Sequence, residues 1–234
     1  MNNSTITAEQ ANAIRAAIAG ASTSDSAEDR ACIIDAINLG IGKAATGRVP
    51  ACMSCTVGDW VIQIHYALPA VMRSSERWTS LMPLAAGTGR VEERVRCTIA
   101  MEWTWGVAMP QLQPVADRCG LGEIWKSMTL TQSYESACAA AVAANASDVP
   151  DAHYLARAAG AAANAVDVYS YALSYVPSVD DPPPYADHYI SQYARAASYF
   201  AAAVAAGSVC SDALFWEAVD PCSCLGRMIG LRNR

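Results

Sequence analysis

Cys52-Met-Ser-Cys55 and Cys222-Ser-Cys224 carry the residue types best suited to chemistry in this chain. A CxxC just ahead of a helix suits redox chemistry, because the helix start lowers thiol pKa. A thioredoxin-like site also needs a strand–helix–strand context, and no such pattern surrounds these cysteines. The two pairs could together supply four thiolates to zinc, but their separation lies far outside ribbon spacing. The expectation is that Cys52, Cys55, Cys222 and Cys224 are structural thiols and that the chain holds no metal and no cofactor. His65 falls at the edge of an apolar stripe, and His153 and His188 sit in the first turns of helices, beside Asp151 and Asp187. A His/Asp metal or acid–base site would need those two turns together, whereas antiparallel helices put them at opposite ends. Gly87-Thr88-Gly89-Arg90 lacks the lysine and the preceding strand of a phosphate-binding loop. GxSxG, HExxH and ExxH pairs are absent from the sequence.

The elements that would position these residues read as helices throughout. Of 234 residues, 53% are hydrophobic, 16% are charged and only two are Phe. Alanine supplies about a fifth of the chain, far above average usage. Little favours a sheet, and small side chains favour close helix–helix contact. A chain this long should bury about 70% of its unfolded surface without help from metals or disulfides.

Thr7-Ala-Glu-Gln10 has the spacing of a capping box, with Gly20 as a stop. Further helices are expected over 27–39, from Ser54 to Pro69, and from Ser75. Along 91–109, Val91, Val95, Ile99 and Trp103 form one stripe against Arg90, Glu92, Glu93, Arg94 and Arg96. Cys97, Met101, Trp105 and Ala108 form a second. The helix is either the centre of the core or presents its second stripe to a partner. Trp103 is read as core, and Met101 and Trp105 as candidates for partner contact. Three long Ala-rich helices are expected over 121–146, 151–175 and 185–206, the last two as a hairpin. A segment at 212–219 and a helix restarting at Pro221 follow. The fold expected is all-α, a single bundle-like domain of about eight or nine helices. It would comprise a Trp-containing part, 1–120, and an Ala-rich part, 121–234, in one continuous unit.

The formal charge of −6 is unevenly placed. Between Ser127 and Ala194 lie Glu135, Asp148, Asp151, Asp167, Asp180, Asp181 and Asp187 against the single base Arg157. That field disfavours a phosphate backbone and suits a basic protein partner. Asp180, Asp181, Tyr185 and Asp187, around the proline run 182–184, are candidate contacts. The start of the sequence does not read as a signal peptide, and no stretch is apolar enough for a membrane span. Nine cysteines outside a secretory context fit a reducing cytoplasm.

Several segments resemble a family of Ala-rich helical bacterial and phage-borne proteins. They are residues 30–39, Pro50-Ala-Cys-Met-Ser54, Pro83-Leu-Ala-Ala-Gly-Thr-Gly-Arg90, Pro110-Gln-Leu-Gln-Pro114 and Phe215-Trp216-Glu-Ala-Val-Asp-Pro221. The resemblance covers about half the chain, carries over no catalytic residues and implies an accessory, mobile-element role. The Ala-rich part also resembles helical bacterial immunity proteins. The function expected is a non-catalytic protein-binding module, in its sharpest form an anti-CRISPR type of inhibitor of a host nucleic-acid-targeting complex. The alternatives are a toxin-neutralising immunity protein and a metal-dependent enzyme with Cys or His ligands.

Overall fold

The computed structural model describes residues 6–21, 33–174 and 183–230, with the main chain alone at 20, 21 and 183–187. Among these residues every regular element is helical. The first part contains α1 (Ala8–Ala21), α2 (Ile33–Gly40), α3 (Cys55–Ala67), α4 (Ala70–Arg73), α5 (Glu76–Thr79) and α6 (Leu81–Ala86). Then come α7 (Glu93–Trp103), a π turn (Thr104–Ala108), a 3-10 turn (Pro110–Leu112) and α8 (Gln113–Arg118). The chain continues with α9 (Gly122–Thr131), α10 (Tyr134–Asn145), α11 (Ala152–Ser174), α12 (Pro183–Ser208), α13 (Phe215–Val219) and α14 (Pro221–Gly230).

The caps explain most starts. Thr7 and Gln10 exchange the two bonds of a capping box, at 3.0 and 3.1 Å. Ser54 Oγ accepts from Val57 N, and Ser75 Oγ from Trp78 N. There are more helices than the eight or nine expected, chiefly because short turns divide them. The helix expected over 121–146 is two: Gln132 turns left-handed at φ 53°, and Ser133 opens α10 by a reciprocal box with Ser136.

The Ala-rich hairpin forms as expected. α11 packs along α12, and Ala159, Ala162, Ala197 and Ala201 are fully buried. α12 also packs on α3 and α7, and one core cluster runs from Ile14 to Met228. Two glycines mark close approaches. A Cβ at Gly40 would strike the Ile14 main chain at 2.6 Å, so α1 crosses α2 where no side chain fits. A Cβ at Gly207 would press on Leu112 Cδ1, where α12 packs against the 3-10 turn.

The helix expected over 91–109 is corrected in register. Glu92 is left-handed at φ 55°, so Val91 lies outside α7 and is 49% exposed. Val95 is exposed, whereas Glu93 and Arg96, assigned to the polar face, are buried. Trp103 is core: it meets Trp60 edge-on at 5.4 Å and its indole donates to Val219 O at 2.6 Å. Trp105 points about 200° away on a regular helix, yet is only 2% exposed. α12 packs on the π turn that carries it, so this helix is enclosed on both sides.

Candidate functional site

The sequence-derived candidates separate in space. Trp105 belongs to the core rather than to a surface for a partner, and Met101 is half-buried against that core. Asp180 and Asp181 lie outside the described residues, as do the side chains of Tyr185 and Asp187. His188 stacks edge-on against Tyr171, near the end of α11, whereas His153 begins that helix. Eighteen residues of helix separate His153 from Tyr171, about 27 Å at 1.5 Å per residue. The two histidines therefore form no joint site. Among the described residues no three His, Cys, Asp or Glu side chains converge on a possible metal position. Cys52, Cys55, Cys222 and Cys224 thus do not assemble as a four-thiolate cluster. No described helix is long and apolar enough to cross a membrane.

Polar chemistry concentrates instead at two buried nodes. Glu93 faces the start of α3. Its Oε2 accepts from Ser54 Oγ at 2.7 Å and Thr56 N at 2.9 Å, and its Oε1 accepts from Cys55 N at 3.0 Å. A carboxylate on the orphan N–H groups of a helix start is the arrangement that helix ends favour. Ser54 N donates to Thr88 Oγ1, which donates to Ala85 O, so α6 joins the same node. Asp59, one turn into α3, is half-buried. Burial, then the Glu93 charge, raises its carboxyl above the usual range, while Arg90 opposes the rise. Three donors thus hold the Glu93 carboxylate in place at the start of α3.

The second node is Arg96, fully buried. Its Nε donates to Met228 O at 3.1 Å and its Nη2 to Thr88 O at 3.2 Å. Its Nη1 donates to Gly89 O and Val91 O. One guanidinium thus ties the 88–91 loop to α14. Sequence reading missed both nodes. Their one signal was two charges, at positions 93 and 96, leading into a helix apolar nearly all round from Cys97.

His65 is a third committed group. Its Nδ1 accepts from Trp78 Nε1 at 3.1 Å, with the rings stacked. Burial first, then the Arg73 charge, lowers its pKa to about 4. The lowered pKa means that the folded state binds fewer protons than the unfolded state. Its contribution is complete above pH 6.5 and is lost as pH falls through about 4. The loss should reach roughly 3 kcal/mol. Urea unfolding between pH 7 and 4 should show a steeper decline for the parent than for His65→Leu; equal slopes would refute this linkage.

Three buried polar atoms, Trp60 Nε1, Thr104 Oγ1 and Trp105 Nε1, have no hydrogen-bond partner among the described residues. Two of them lie in the π turn, whose Met109 N–H donates to Thr104 O at 2.8 Å. Removing an orphan hydroxyl abolishes a desolvation penalty without breaking a bond. Thr104→Val should therefore leave stability unchanged or raise it by up to about 1 kcal/mol. A loss above about 1 kcal/mol in denaturant titration would show that the hydroxyl has a working partner.

Outside the core, α10 and α11 present an acidic and aromatic face. Glu135, Asp148 and Asp167 are exposed, with Asp151 half-buried and Arg157 the sole Lys or Arg across these helices and their connection. Tyr134 and Tyr171 are about half exposed, Tyr134 next to Glu135 and Tyr171 at the Asp167 end of α11. Asp167 and Tyr171 are one turn apart on α11, and Asp167 lies near enough to Tyr134 to help raise its pKa, an effect led by the Cys138 hydrogen bond. The comparisons with family models, curated proteins and solved structures found no match to this chain.

Proposed function

We propose that this chain is a non-catalytic protein-binding module whose partner presents a basic surface. The observation that carries this reading is the α10–α11 face, where exposed tyrosines lie among carboxylates. Tyrosines bury area at low entropic cost, and a one-sign field steers an oppositely charged partner. Asp180, Asp181 and Asp187 extend the same charge along the sequence, and Tyr185 adds a further tyrosine. The commitment of Glu93, Arg96 and His65 to internal bonds supports the reading further. In its narrower form, the module is a phage or mobile-element inhibitor that competes for a basic groove built for nucleic acid. It acts in the cytoplasm, where such complexes work.

A partner captured from host lysate and purified should associate more slowly as salt rises. Glu135→Lys with Asp167→Lys should reduce its association rate about tenfold at low salt. The melting temperature should not change. A partner that binds this variant as fast as the parent would reject the proposal.

A further inference from the structure

A cleft of about 150 Å³ lies between the α4–α5 corner and the α13–α14 turn. Met72, Trp78 and Trp216 give it apolar and aromatic walls, and Arg77, Glu217 and Asp220 supply its charge. Asp220 adopts φ 44° between the two helices. That conformation lets its Oδ1 accept from Ser223 N at the start of α14, while Oδ2 pairs with Arg77 Nη2 at 2.7 Å. The arginine side chain is 66% exposed, so the pair is weakly held. Glu217 is exposed and has no ion-pair partner among the described residues.

We infer that this cleft binds an organic cation, an ammonium or guanidinium group on an apolar stem of a few carbons. The sign follows from the lining. An incoming cation can exchange with Arg77 at Asp220 and gain Glu217 as a second carboxylate. An incoming anion that took Arg77 would leave Glu217 and Asp220 unpaired beside it. The wall that Leu68, Met72, Trp78 and Trp216 line takes the stem. Arg77 itself shows which group Asp220 accepts. The inference is independent of the partner-binding face on α10 and α11. The same chemistry could come from a free amine or from a basic side chain of a peptide.

Cys222 is half-buried in the same cleft and serves as the reporter. The full-length protein is treated with methyl methanethiosulfonate, a small neutral thiol reagent, and each cysteine is followed by peptide mass spectrometry. Agmatine at about 10 mM should slow modification of Cys222 about threefold, as a dissociation constant of about 5 mM gives. Cys52 and Cys138, outside the cleft, should react unchanged. Glu217→Gln should weaken the protection, and Arg77→Gln, which removes the internal competitor, should strengthen it. A blocked Gly-Arg-Gly tripeptide tests the second source: protection by agmatine alone assigns a free amine, and stronger protection by the tripeptide assigns a peptide side chain. Equal protection by butyrate, or no protection by either cation at about 50 mM, tenfold that constant, would overturn the inference.

Discussion

Arg96→Met should lower the unfolding free energy by about 3–5 kcal/mol, the range for breaking a buried charged network. The guanidinium satisfies the carbonyls of Thr88, Gly89, Val91 and Met228. Methionine fills similar volume and satisfies none of them. The Thr88 and Met228 carbonyls, whose bonds are buried, would each cost about 1–3 kcal/mol if left without a donor, and relief from burying a charge offsets part of that sum. Arg96→Lys should recover part of the loss, because an ammonium cannot reproduce the fork that reaches both the loop and α14. Urea denaturation measures the loss, and protease cleavage near α14 should accelerate. An Arg96→Met protein within about 1 kcal/mol of the parent would show that the four bonds contribute nothing net.

Glu93→Ala should also cost about 3–5 kcal/mol, since it strips partners from Ser54 Oγ and from two N–H groups at the start of α3. Glu93→Gln distinguishes acceptor chemistry from packing. Its shape is nearly conserved, but its NH2 must face one of the donors, so roughly half the loss should remain. For a chain of this size, a loss of about 3 kcal/mol lowers the melting temperature by roughly 6–12 °C. If Glu93→Gln melts with the parent, the carboxylate is a filler and not the cap of α3.

These two residues also show why parts of this protein were hidden in its sequence. Periodicity places polar side chains outward unless something inside satisfies them. For Glu93 that partner is a helix start thirty-seven to thirty-nine residues earlier, and for Arg96 the farthest is a carbonyl 132 residues later. No local pattern encodes such a distance. Trp105 was misjudged for a related reason: the second stripe was legible, but whether α12 or a foreign surface covers it depends on packing.

The amino-acid sequence by itself determined the all-helical class, the Ala-rich hairpin and the caps at Thr7, Ser54 and Ser75, because composition, periodicity and capping act within a few residues. It also determined the acidic bias of the 127–194 segment, which is a count of charges. Tertiary structure alone decided which charges are buried and that Arg77 and Asp220, 143 residues apart, meet at the mouth of one cleft. Those outcomes depend on how helices cross, and a crossing is set by the fit of whole surfaces, such as Gly40 against the Ile14 main chain.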